Sequence, residues 1–202
     1  MIDIRHVYQT FGTRRILNDV SLTVRDGETM VILGASGSGK STLLKLIIGL
    51  LRPTSGEVMV DGKDMARLSE KELNEERRHM GFVFQYSALF DSMNVKENVA
   101  FGLRMHTKLP EKEIDRIVKE KLHLVGLDGI ENLMPANLSG GMKKRVSLAR
   151  AIALEPRIIL YDEPTAGLDV VAREEILDLL REYMEIPGRS IVISSHISGD
   201  LE

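Results

Sequence analysis

The 202-residue chain contains no cysteine. Disulfides, thiolate metal centres and thiol catalysis are excluded, and a reducing compartment is compatible with the chain. Nor does any apolar run approach the roughly 20 residues that a membrane-spanning helix needs. The first residues, "MIDIRHVYQT", carry charges where a secretory leader needs an apolar stretch. If the protein works at a membrane, something else anchors it. No charge of one sign dominates: the formal net charge is -3, so there is no global pull towards nucleic acid or anionic lipid. Lys143-Lys144-Arg145 is a short basic run, and on a helix it reads as a solvated face. Internal repeats, low-complexity tracts and linkers between separate domains are missing too. What remains is 43% hydrophobic and 28% charged, the balance of a globular protein with length for one good core.

Along the chain, residues 1–33 alternate apolar and polar positions. They are broken by turn signals at Phe11-Gly12-Thr13 and Asp26-Gly27, which predicts strands paired through hairpins. Short apolar runs at 29–34, 79–85, "RIILYDEP" and "RSIVISSH" predict buried strands. "RPTSGEVMVDGKDM" predicts a turn, a strand and another turn. Helical spacing follows residue 40, covers most of 93–124 with a break at Leu109-Pro110, starts again at Ser139, and runs through "VVAREEILDLLREYME". Strands alternating with helices predict an α/β fold with a parallel sheet covered on both faces.

Between the run at 29–34 and the next helix stands Gly34-Ala35-Ser36-Gly37-Ser38-Gly39-Lys40-Ser41, which fits G-x-x-x-x-G-K-[ST]. Chance gives such a match in roughly one chain of this length in a hundred, and the strand-to-helix context makes it rarer. Glycines let successive N–H groups curl around phosphate oxygens, and the helix start adds partial positive charge. Lys40 can reach the outer phosphates, and Ser41 can offer a hydroxyl to Mg²⁺. The expected phosphate set is Gly34, Ser36, Gly37, Ser38, Gly39, Lys40, Ser41 and Thr42.

A second element must supply the metal ligand and orient water. The run at 157–163 drives a strand into the core and ends in Asp162 and Glu163. Solvated acids at a strand end are common, but beside a phosphate loop the pair fits a metal ligand and a carboxylate that polarises water. A further glycine pair stands at Leu138-Ser139-Gly140-Gly141-Met142, with Ser139 as an N-cap. One nucleotide does not need two such cradles in one subunit, whereas two subunits packed head to tail would use both.

Together these residues resemble the ATP-binding cassette (ABC) ATPase family, over nearly all of the chain. The family's order is present: the loop at 34–41, Gln85 ending "GFVFQ", "LSGGM", "ILYDEP", "AGLD" and His196. The resemblance implies a P-loop NTPase with a RecA-like core, an N-terminal antiparallel β part and an inserted α-helical subdomain. It implies one domain over 1–202, with 1–86 and 151–202 as core and 87–150 as the helical part. Catalytic roles fall on Glu163, His196 and Gln85, and metal contact on Ser41, Gln85 and Asp162. Phe11 matches the aromatic that stacks on adenine. Ser139, Gly140 and Gly141 match a signature that touches the other subunit's nucleotide, and Asp169 a link between the two sites. The implied cofactors are ATP and Mg²⁺. The implied partners are integral membrane permease subunits and a second copy of the chain, with no nucleic acid, at the cytoplasmic face of the membrane.

"GFVFQYSALFDSMNVKENVAFGLRMHTKLP" and "LSGGMKKRVSLARAIALEP" are similar to cassettes of the Mla type, which drive phospholipid transport with an MCE-domain partner. After Asp169 the likeness shifts towards cassettes of ABC-2-type exporters, which implies a chimera joined near "DEPTAGLD". Family members continue past the histidine, whereas six residues follow His196, so the resemblance implies a missing C-terminal end. Two other readings stand beside transport. A cassette acting on DNA or ribosomes would carry coiled-coil insertions or a second cassette. An engineered fragment would bind nucleotide without transport coupling.

Overall fold

The computed structural model describes residues 1–196. Two four-stranded sheets face each other across a helix. The first is antiparallel, in the order β2 (Arg14–Val24), β1 (Ile2–Phe11), β4 (Ser55–Val60), β5 (Lys63–Asp64). The second is parallel, in the order β3 (Thr29–Leu33), β8 (Ser190–Ser195), β7 (Ile158–Asp162), β6 (Met80–Val83). The expected hairpin at Gly12 is present between β1 and β2. The second expected hairpin is not. At Asp26-Gly27 the chain leaves the antiparallel sheet, and β3 pairs in parallel with β8. In β3 the half-buried Val31 packs on one core and Met30 and Ile32 on the other, so both faces of the strand are partly covered, as a parallel sheet rather than a half-solvated hairpin provides.

The period of two along β7 divides the interior. Ile158 and Leu160 face α1 (Lys40–Ile47) and the antiparallel sheet, joining Ile2, Ile4, Leu44 and Ile47. Ile159 and Tyr161 face the other way. There they meet α3 (Val95–His106), α4 (Glu111–Leu124), α5 (Gly140–Ile152) and α6 (Val170–Met184). The helices are stopped and started by local chemistry. Asn94 with Glu97 forms a capping box on α3, Pro110 opens α4, and Ser139 and Asp169 cap α5 and α6. α4 buries Ile114, Val118 and Leu122 at a spacing of four against the same core. A further helix, α2 (Glu70–Arg77), is not foreshadowed by periodicity: it is charged nearly throughout and buries Leu73 and Glu76.

All four parallel strands end at one edge. Leu33 lies beside Ser195, Asp162 beside Ser194 and Val83 beside Tyr161. The segments leaving that edge are the glycine-rich loop, Glu163, Gln85 and His196. Ligands of open α/β sheets bind at this carboxyl edge.

Candidate functional site

The loop at 34–41 turns sharply from β3 into α1. Gly37 stands at φ +78° and Gly39 at φ +101°, in the left-handed region that side-chain-bearing residues avoid. A Cβ on Gly34 would lie 2.6 Å from the Ser38 Oγ, and one on Gly39 2.7 Å from the Leu17 Cδ2. Among the described residues no side chain caps the start of α1, so its first N–H groups remain available to an anion. The Lys40 Nζ donates to the carbonyls of Gly34 (2.8 Å) and Ala35 (3.2 Å) and stands 3.4 Å from the Glu163 Oε1.

The strand order brings the loop to the carboxylates. Because β8 lies between β3 and β7, α1 crosses over it, and the Ser41 Oγ donates to the Asp162 Oδ1 at 2.9 Å. The Ser194 Oγ donates to the same oxygen at 2.6 Å. Glu163 follows at φ +49°, a conformation that needs outside support in a non-glycine residue. Its N–H donates to the Ser194 carbonyl (3.0 Å) and hydroxyl (3.1 Å), and its own carbonyl accepts from the Lys144 Nζ at 2.8 Å. Its carboxylate meets the Gln85 Nε2 at 2.9 Å and the His196 Nδ1 at 3.3 Å.

Phe11, Arg14, Ile16, Ser36, Gly37, Gly39, Lys40, Ser41, Thr42, Gln85 and Glu163 line one open cleft. Phe11 is 47% exposed and offers a ring face at its mouth. The donor set also suits a hard cation: a serine hydroxyl and a carboxylate oxygen 2.9 Å apart, with Gln85 nearby. Among the described residues no group of three or more acidic, histidine or cysteine side chains gathers. A cation here would therefore take its remaining ligands from water and phosphate oxygens, as Mg²⁺ does.

The other expected residues stand apart. Ser139 accepts from the Met142 N–H (3.2 Å), and Asp169 accepts from the Ala172 N–H (2.9 Å), each capping its own helix. These helix starts adjoin: a Cβ on Gly141 would lie 3.8 Å from the Ala172 Cβ. Neither belongs to the lining of the cleft. One reading from composition is overturned. Lys144 is not on a solvated face; it is 6% exposed and directed at Glu163, because α5 turns that side towards the sheet. Ser194 was legible only as part of an apolar strand, although the "SSH" at its end places polar groups where β7 delivers its carboxylates.

A phosphate loop at the carboxyl edge of a parallel sheet, with an adjoining metal-ligating and water-orienting pair, defines a P-loop nucleotide-binding protein. The chain belongs to the ABC transporter family, whose model matches residues 17–166. It is 49% identical over 195 residues to "Probable ribonucleotide transport ATP-binding protein mkl" of Mycobacterium tuberculosis, covering 96% of this chain and 54% of that protein. It is 45% identical over 196 residues to "Intermembrane phospholipid transport system ATP-binding protein MlaF" of Haemophilus influenzae, covering 97% of this chain and 74% of the other. Among solved structures, it matches the dimeric post-hydrolysis state of the ATP-binding cassette MJ0796 bound to ADP and Pi. The TM-score is 0.92 at 36% identity, over 99% of this chain and 90% of that one. The chain thus spans about half the length of the mycobacterial relative. Single relatives align across residue 169 over almost the whole chain, and nothing in these likenesses supports a chimeric junction there.

Proposed function

We propose that the chain is the ATP-hydrolysing subunit of a membrane transporter of phospholipid type. The observation that carries this is the single cleft holding Lys40, Ser41, Gln85 and Glu163, with Asp162 bonded to Ser41. In this reading Phe11 stacks on the adenine and the loop N–H groups with Lys40 hold the phosphates. Ser41, Asp162 and Gln85 would hold Mg²⁺, which neutralises phosphate charge. Glu163 accepts hydrogen bonding from the attacking water, and His196 and Gln85 orient its carboxylate.

Two copies packed head to tail put Ser139, Gly140 and Gly141 of each against the other's nucleotide, with Asp169 between the sites. The separation of these residues from the chain's own cleft supports that arrangement, as does the dimeric form of the MJ0796 structures. The subunit sits at the cytoplasmic face against permease subunits and does not act on nucleic acid. Among the described residues no helix is long and apolar enough to cross a membrane. A surface for such a partner lies beyond Gln85. Tyr86 is 87% exposed and Met105 64%, and the rings of Phe90 and Phe101 lie 4.8 Å apart. The phospholipid assignment rests on the similarity to MlaF.

Mg²⁺-ATP turnover of the protein and of Glu163→Gln tests the reading. Loss of turnover by about 100-fold or more, with ATP still bound and a dimer held together, is the expected result. Parental turnover in the variant would remove Glu163 from the mechanism.

A further inference from the structure

Glu163 is held from two sides. Its N–H is fixed to Ser194 on the sheet, and its carbonyl accepts from Lys144 on α5 at 2.8 Å and, more weakly, from the Ala166 N–H at 3.3 Å. A buried ammonium is costly unless it is well partnered. Here it meets the backbone of Glu163, the one non-glycine residue between β7 and α6 that stands at a left-handed φ. The φ of +49° aims the carboxylate, so whatever holds the backbone sets that aim. Lys144 stands little more than one turn into α5, the helix that begins after Ser139. Further along the same helix, the Ser147 hydroxyl and the Arg150 guanidinium donate to the Ser87 carbonyl, and Arg150 also to that of Ala88, in the loop after Gln85. Ser87 and Ala88 are themselves left-handed. α5 therefore touches the start of the exposed apolar surface at one end and presents the Ser139 turn at the other, with Glu163 between.

We propose that Lys144 is a positioning residue for Glu163, tying the aim of the carboxylate to the placement of α5. This rests on the proposed hydrolysis and head-to-tail pairing. A nucleotide bound by the partner copy and pressing on Ser139 and Gly141 then moves the support of this subunit's own Glu163. Displacement of a reacting group by about 1 Å can cost about 100-fold in rate, so a small shift of α5 suffices.

The test compares the parental protein with Lys144→Met, an unbranched chain one atom shorter that lacks both the charge and the N–H donor, and with Lys144→Arg. Hydrolysis, ATP affinity and hydrogen exchange of the Glu163 amide are measured for each. The methionine variant is expected to lose about 10-fold or more in kcat and to leave ATP affinity within about twofold. Its Glu163 amide is expected to exchange about 10-fold faster, and arginine to restore most of both. Parental kcat and exchange in the methionine variant overturn the proposal. So does a parallel loss of affinity, kcat and protection along all of β7, which marks plain destabilisation. If methionine is not tolerated there, Lys144→Leu, which also has no donor, takes its place with the same expectations. A parental protein without Glu163-dependent turnover counts against the proposed function, and the Glu163 amide exchange still decides the role of Lys144.

Discussion

Among the described residues no side chain caps the helix at the start of α1, and Gly39 stands there at φ +101°. At the start of α5 the Ser139 hydroxyl caps it and no residue is left-handed. The two glycine-rich turns read alike in sequence, but their surroundings differ. A Cβ at 34 or 39 would collide with the chain itself, whereas one at Gly140 meets nothing within 4 Å and one at Gly141 only ordinary contacts. The first turn needs glycine for its own fold. Among the described residues nothing needs it at the second, which fits the proposed contact of that turn with a partner copy's nucleotide. One helix start is uncapped at the cleft, and the other is complete as a helix with Ser139 and Gly140 exposed.

That contrast can be broken most directly at Lys40. Lys40→Ala removes the cation of the first turn and should weaken ATP binding about 100-fold by calorimetry. Unchanged affinity would mean that the turn is not a phosphate cradle. Gly39→Ala should cost about 2–4 kcal/mol in denaturant unfolding, from left-handed strain plus overpacking against Leu17. Gly140→Ala should leave stability unchanged or raise it by up to about 1 kcal/mol, since alanine favours the helix. The same variant should lower turnover about 10-fold while leaving ATP affinity intact. A stability loss as large as that of Gly39→Ala would erase the distinction between the two turns.

The smallest effect concerns a polar group inside the core. Among the described residues the buried Tyr161 hydroxyl has no hydrogen-bond partner. Tyr161→Phe should raise stability by about 1 kcal/mol, measured by urea unfolding at neutral pH. Burial also pushes the Tyr161 pKa up. Its contribution is therefore fully present below the ordinary tyrosine value of about 10 and is lost as pH rises through the raised value. Phenylalanine should flatten part of that alkaline decline.

The parallel strands and the phosphate loop were legible because each announces itself locally, by an apolar run or by glycine spacing. Asp162 and Glu163 were legible as a strand end, whereas Gln85 and His196 entered only through the family resemblance. What sequence concealed depends on pairing across the molecule. The turn at Asp26-Gly27 has the residues of a hairpin, but the partner that claims β3 lies at residues 190–195. α2 is charged at most positions and buries only Leu73 and Glu76, and its one local signal was the Ser69 and Glu72 capping box. Lys144 sits in a basic run, and only the packing of α5 on the sheet shows that it points inward.

The order β3-β8-β7-β6 has a consequence for the making of the protein. The antiparallel sheet has all its strands once residue 64 exists. β3, which precedes the phosphate loop, must wait for residue 190 before its neighbour is synthesised. At about 5–20 residues per second, that wait is roughly 8–30 s on the ribosome. For that interval the nascent chain holds "TMVIL" as an unpaired apolar edge, so chaperone contact during translation should concentrate there rather than on the earlier hairpin.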